Sequence, residues 1–193
     1  MLDDTYFMKQ ALIEAGKAAE RGEVPVGAVV VCKERIIARA HNLTETLNDV
    51  TAHAEMQAIT AAANVLGGKY LSECTLYVTV EPCVMCAGAI AWAQTGKLVF
   101  GAEDEKRGYQ RYAADALHPK TVVVKGIFAD ECAALMREFF YFLEIYIFTI
   151  ILGEYFFVLS CRSILGQNFL FIIIRIVRPL IVALLALSGL SVM

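Results

Sequence analysis

The chain changes character at residue 140. Residues 1–140 carry 14 Lys and Arg against 18 Asp and Glu, whereas residues 141–193 carry three against two, with no Lys, Asp or His at all. A folded core keeps its charged side chains on the outside, so residues 1–140 are expected to form a domain of their own. Residues 141–193 are read separately, as a hydrophobic C-terminal tail. The first stretch is long enough to bury a full core without disulfide or metal staples.

The formal charge of −3 lacks the overall basicity of a strong duplex-DNA binder, although a local basic stripe can still hold RNA. Of the cysteines Cys32, Cys74, Cys83, Cys86, Cys132 and Cys161, only Cys83 and Cys86 are closely spaced. The chain opens on the acidic Met1-Leu2-Asp3-Asp4 and not on a signal peptide. A reducing, cytoplasmic setting is therefore expected, where paired cysteines bind metal or do redox work more often than they form structural disulfides.

Along residues 1–140 the apolar period alternates between helix and strand. Residues 4–21 set Phe7, Ala11, Ile13, Ala15 and Ala18 among charged neighbours, an amphipathic helix ending near Gly22. Ala28–Val31 and Ile36–Ala40 read as a hairpin around the polar turn Lys33-Glu34-Arg35. Residues 53–66 form a helix stopped by Gly67-Gly68. A strand at Thr75–Val80, a helix at Cys83–Ala93 and strands at Lys97–Gly101 and Thr121–Lys125 follow. Asp130–Phe140 closes as a helix whose acidic start suits its positive dipole end. The order α-β-β-α-β-α-β-β-α implies an α/β fold, a three-layer α/β/α arrangement on a five-stranded mixed sheet.

Two short motifs carry the chemistry. His53-Ala54-Glu55 opens one helix and Pro82-Cys83-Val84-Met85-Cys86 opens the next. A catalytic zinc takes three nitrogen or thiolate ligands and keeps a fourth position for water. One His and a C-x-x-C pair supply that number, so His53, Cys83 and Cys86 are the candidate ligands of one zinc ion per chain. Glu55 lies about 200° around an ideal helix from His53 and is poorly placed to ligate the same ion. At the first turn it can project beside the metal as the general base and acid, and it is the candidate catalytic residue. A lone C-x-x-C could also be a redox pair, or half of a closed structural site completed by Cys74 or His118. The joint pattern H-x-E followed by P-C-x-x-C is far more specific and matches the zinc nucleobase deaminases, for which it is a known signature.

Beyond those motifs, the chain resembles the bacterial tRNA-specific adenosine deaminases of the cytidine deaminase-like superfamily. The resemblance spans roughly residues 4–140. It rests on Glu23-Val24-Pro25-Val26-Gly27-Ala28, Thr51-Ala52-His53-Ala54-Glu55 and Thr75 through Ala89, then on Val99-Phe100-Gly101-Ala102 with Asp104, Lys106 and Gly108, and on Ala129 through Leu135. It implies a cytidine deaminase-like fold, a homodimer, and hydrolytic deamination of adenosine to inosine at the wobble position of a tRNA anticodon loop. It also places Asn42 where the family hydrogen-bonds its target nucleoside. A loop base is cheaper to splay into a pocket than a paired one. The segment Lys106-Arg107-Gly108-Tyr109-Gln110-Arg111-Tyr112 interleaves basic and aromatic residues, so Asp104, Lys106, Arg107 and Arg111 are candidate RNA contacts. The runner-up is a deaminase of free guanine or cytosine, and a zinc module without turnover is disfavoured by the intact Glu55. After Phe139-Phe140 the chain departs from the family, with Tyr141-Phe142-Leu143-Glu144 in place of a basic helix end.

In the tail, Tyr141–Leu159 and Phe169–Leu190 are long enough to be membrane-spanning candidates. Glu144, Glu154, Arg175 and Arg178 oppose insertion. For the second segment the apolar gain of about −7 kcal/mol nearly cancels against about +6 from its arginines. A membrane hairpin is therefore the less favoured expectation and an appended, non-native extension the more favoured one.

Overall fold

A computed structural model of the chain describes residues 3–146. The chain divides after Phe140 into two units, and the first holds a five-stranded sheet with helices on both faces. The elements are α1 (Asp4–Glu20), β1 (Gly27–Cys32), β2 (Arg35–His41), α2 (Thr44–Leu47), α3 (Ala54–Leu66), β3 (Cys74–Val80), α4 (Val84–Trp92), β4 (Lys97–Ala102), α5 (Tyr109–Tyr112) and β5 (Val122–Lys125). A last helix, α6, covers 129–146. The two four-residue helices, α2 and α5, are too short to leave a period in the sequence and were not expected from it.

The strands lie in the order β2-β1-β3-β4-β5. β1 is antiparallel to both β2 and β3, while β3, β4 and β5 run parallel. The expected mixed sheet is thus present, with α4 as the crossover between parallel β3 and β4. β1 and β3 are buried along nearly all their length because helices cover both faces, which is why Ala28–Val31 reads as a continuous apolar run and not an alternating one.

The alternation of side chains along each strand splits the core in two. On one face Ala28, Val30, Leu76, Val78, Leu98 and Phe100 pack with Ala54, Ala58 and Ala62 of α3 and Ala87 and Ile90 of α4. On the other, Val29, Val31, Tyr77 and Val99 pack with Phe7, Met8 and Ala11 of α1 and with Cys132 of α6. Asp3 caps α1 by accepting from the Tyr6 N–H at 2.9 Å. Asp4 then ties α1 to the sheet, accepting from the Tyr77 hydroxyl at 2.7 Å and pairing with Lys97 Nζ at 2.7 Å. Gly27, where β1 begins, has no room for a side chain, since a Cβ there would collide with the Ala11 carbonyl and the Ala15 nitrogen of α1.

Candidate active site

The site forms where α3 and α4 start. His53 and Cys83 are the N-caps of these helices, both in extended backbone, and neither side chain is spent on capping. β3 ends at Val80 and leads through Glu81-Pro82 straight into α4. The strand therefore fixes where Cys83 starts its helix, and Cys86 follows one turn later.

The two helix starts converge. His53 Nδ1 lies 3.7 Å from Cys83 Sγ and 3.5 Å from Cys86 Sγ, and all three donor atoms fall within 4.8 Å of one another. Among the described residues this is the one His/Cys/Asp/Glu group able to hold a metal ion. Neither alternative fourth ligand joins it. Cys74 faces Cys32 across the β1–β3 pair, and burial pushes its thiol up to about 12. His118 Nδ1 accepts instead from the Lys120 N–H at 3.2 Å.

Within the cluster the thiols are unlike. A hydrogen bond from the Cys86 thiol, helped by His53 and opposed by burial, brings Cys83 down to about 4. The same bond to Cys83, together with burial, pushes Cys86 up. The hydrogen bond to Cys83 raises His53 above the ordinary histidine range. Glu55 stands in the first turn of α3 at only 3% exposure. Burial raises its carboxyl above the ordinary carboxylate range, although the His53 charge pulls the other way, and it meets the Cys86 thiol by hydrogen bond. Three soft or borderline donors and one buried carboxyl that is not among them form an arrangement suited to a metal ion and a proton carrier.

Two further carboxylates shape the surroundings, and neither stood out in the sequence. Glu81, 6% exposed, accepts from the backbone N–H groups of Asp104 at 3.1 Å and Gln110 at 3.0 Å. Gly108 lies directly against it, for a Cβ there would meet the Glu81 carboxylate. Cys83 bridges Gly108, and the Tyr109 N–H donates to the Pro82 carbonyl at 3.0 Å. The 104–112 segment is thereby seated beside the cysteine loop. Asp104 accepts from the Lys106 and Arg107 N–H groups at 2.9 Å each. Arg111 donates to the Glu105 carbonyl at 2.7 Å and stacks over Tyr112. On the other side Glu23, fully buried, holds the 42–46 segment: it accepts from Asn42 Nδ2 at 3.1 Å and from the N–H groups of Glu45 at 3.1 Å and Thr46 at 2.7 Å. Both glutamates sit just ahead of a proline, at Glu23-Val24-Pro25 and Glu81-Pro82. That proximity is the one sequence signal that could have marked them as loop anchors.

The apolar segments Tyr141–Leu159 and Phe169–Leu190 lie outside the described residues except for the helical 141–146. Among the described residues no helix is long and apolar enough to cross a membrane.

The chain matches the family model of the MafB19-like deaminases over residues 2–144. It is 45% identical over 145 residues to the tRNA-specific adenosine deaminase of Agrobacterium fabrum, covering 72% of this chain and 95% of the relative. It is 46% identical over 145 residues to the tRNA-specific adenosine deaminase of Bacillus subtilis, covering 72% and 90%. Among solved structures it superposes with TM-score 0.64 and 45% identity on one from studies of A-to-I editing by tRNA:A34 deaminases at the wobble position of transfer RNA, covering 68% of this chain and 99% of that one. A guanine deaminase from Bacillus subtilis matches with TM-score 0.51 and 42% identity, over 53% of this chain and 66% of that one.

Proposed function

Since the chain belongs to the MafB19-like deaminases, among the tRNA-specific adenosine deaminases, we propose that it hydrolyses adenosine to inosine at the wobble position of a tRNA anticodon loop. The observation that carries this is the buried Glu55 set against the His53/Cys83/Cys86 cluster. A structural metal site has no use for such a carboxyl.

Zinc fits the donor set. Ligands at about 2.3 Å for sulfur and about 2.0–2.1 Å for nitrogen stand roughly 3.6 Å apart around a tetrahedral ion, and the Sγ-to-Nδ1 separations are 3.7 and 3.5 Å. His53, Cys83 and Cys86 would hold the ion and would leave room for one solvent ligand. An ion held there would supply Lewis acidity, which makes a water nucleophilic near neutral pH. Glu55 takes a proton from the attacking water as its oxygen adds to C6 of the flipped adenine. It passes the proton to N1, which relieves the charge that attack builds on the ring. It then takes the remaining proton of the added oxygen and delivers it to the amine at C6, the C–N bond breaks as the C6 carbonyl forms, and ammonia leaves inosine behind. The starts of α3 and α4 add positive dipole ends where thiolate and oxygen charge gather.

Asn42 binds the target nucleoside in this proposal, and the exposed Lys106, Arg107 and Arg111 contact RNA phosphates while Asp104 keeps their loop in shape. Two copies pair as a homodimer, for which the exposed apolar Val65, Tyr70, Met85 and Trp92 around α3 and α4 offer surface to bury. The setting is the cytoplasm, where tRNA and reduced thiols are both found. The test is to incubate the purified, metal-analysed chain with an anticodon-loop RNA hairpin and separately with free guanine, cytosine and adenine, scoring inosine and ammonia. Inosine in the RNA is expected. Rapid release of ammonia from free guanine or cytosine with an untouched hairpin would replace this function by that of a free-base deaminase.

A further inference from the structure

Glu23 takes no part in the mechanism above, yet it is the most completely enclosed carboxylate near the site, at 0% exposure. Burial works to raise its pKa. The N–H donors of Thr46 and Glu45 outweigh that and hold it below the ordinary carboxylate range, so it is ionised and can only accept hydrogen bonds. That restricts its neighbour. Asn42, 5% exposed, must turn its amide nitrogen toward the carboxylate, because its carbonyl oxygen would meet an oxygen there. The orientation of this amide is thus fixed by chemistry and not by a choice between two look-alike ends.

Both hydrogens on Asn42 Nδ2 are spent. One goes to Glu23 Oε2 at 3.1 Å and the other to Thr44 Oγ1 at 2.9 Å. The Thr44 hydroxyl in turn donates to Glu23 Oε2 at 3.3 Å, which leaves its oxygen free to accept from Asn42. The backbone N–H of Asn42 is held by the Val26 carbonyl at 3.0 Å. What Asn42 has left to offer is Oδ1, an acceptor.

Given that Asn42 binds the nucleoside, as argued under the function above, we propose that Glu23 is a positioning residue that locks Asn42 with only Oδ1 available, so that the substrate group read by Asn42 is a hydrogen-bond donor. On a nucleotide within an RNA loop that means the 2′-hydroxyl or a base amine, and unprotonated ring nitrogens and carbonyl oxygens are excluded. The exclusion is one-sided in energy: a mismatched substrate would set acceptor against acceptor in a nearly dry site, which costs more than a missing bond.

The test exchanges the two chemistries. Glu23→Gln supplies one acceptor and one donor where the carboxylate supplied two acceptors, and so permits the Asn42 amide to turn over. It should lower kcat/KM on an adenosine-containing RNA hairpin by about ten- to hundredfold with zinc content unchanged. Adding Asn42→Asp to Glu23→Gln restores an amide facing a carboxylate, now with acceptors turned to the substrate, and should bring kcat/KM back to within about fivefold of wild type. A double variant no better than Glu23→Gln alone, or a Glu23→Gln chain within about twofold of wild type, overturns the proposal. A hairpin with 2′-deoxyadenosine at the target separates the donors. If the 2′-hydroxyl is the donor, the wild type loses the same factor and Glu23→Gln costs nothing more. If the base amine is the donor, the wild type is unaffected and the Glu23→Gln penalty persists.

Should Glu23→Gln melt out, an otherwise native Glu55→Ala chain carries the test by NMR of the Asn42 side-chain NH2. Both hydrogens should stay protected from exchange with and without the RNA, and RNA-dependent release of either one overturns the proposal. If the wild type ignores the hairpin but deaminates a free base, the tRNA function falls while this inference does not, and the same variants are scored on that base by the same fold-changes.

Discussion

Against the α3/α4 face of the sheet, α3 buries Ala54, Ala58 and Ala62 with Glu55, and α4 buries Cys86, Ala87 and Ile90. Against the other face, α1 also buries Ala11, Ala15 and Ala18, the first two with their backbone against Gly27, but adds the large Phe7 and Met8, which pack with Tyr77, with Phe128 and with Cys132 of α6. Small side chains let helix axes approach the sheet closely, and close approach is what brings two helix starts to within ligand distance of each other. Large side chains instead fill volume and contribute burial energy at about 25 cal/mol per Å². Both faces contribute burial, but the helix starts that meet to form the site are on the α3/α4 face, and the large helix side chains Phe7 and Met8 are on the other.

That division is exposed to direct tests. The largest effect is expected from Cys83→Ala. It should abolish metal binding and turnover together and lower the melting temperature, because a metal that binds only the folded chain adds its binding energy to stability. Full metal content in this variant, measured by atomic absorption, would remove Cys83 from the ligand set. Glu55→Ala comes next. Turnover should fall by about 10²–10⁴-fold, or about 2.7–5.5 kcal/mol in barrier, while zinc stays bound. The melting temperature should hold or rise, since a buried carboxyl is lost. Met8→Ala is the counterpart on the opposite face, expected to cost about 2–5 kcal/mol of stability in denaturant titration. At temperatures where it is folded, its turnover should stay within about twofold of wild type. A Met8→Ala chain that is stable but slow would mean that the two faces do not divide their duties.

The smallest effect concerns acid. Asp4 is partly buried, which raises its pKa, but hydrogen bonds from Lys97 and Tyr77 outweigh that and hold it below its ordinary 3.8. A depressed carboxylate stabilises the fold fully above its unfolded pKa, and the contribution is lost as pH falls through the folded one. Stability measured by denaturant titration should thus decline below about pH 4 in the wild type. The decline should be shallower in Asp4→Asn by less than about 1 kcal/mol, with turnover at neutral pH unchanged.

Much of this was legible beforehand for identifiable reasons. The strands and long helices announced themselves by period, with ends displaced by only a residue or two except in the last helix, read as ending at Phe140 but helical through residue 146; the helix read from residue 53 begins at Ala54 because His53 is its cap. The ligand types and spacing of His53, Cys83 and Cys86 were sufficient to nominate them, as side-chain chemistry nominates any metal donor. Apart from the proline that follows each, Glu23 and Glu81 had nothing to mark them, because a glutamate in sequence carries no sign of burial and their partners are mostly backbone groups 22–29 residues away. Likewise the strand order could not be read, since the antiparallel pairing of β1 with β3 across α3 leaves no local pattern.

That pairing also bears on how the chain is made. β1 acquires its neighbour β2 at once through a tight hairpin, but its other edge must wait for β3, whose partner to Cys32 is Cys74. Synthesis at about 5–20 residues per second leaves Val29, Val30 and Val31 with one bare, apolar edge for roughly two to eight seconds. An unpaired edge of this kind recruits other strands. The nascent chain is therefore most prone to aggregation after β2 has emerged and before β3 has, and a stall placed between them would harm yield more than one placed anywhere after β4.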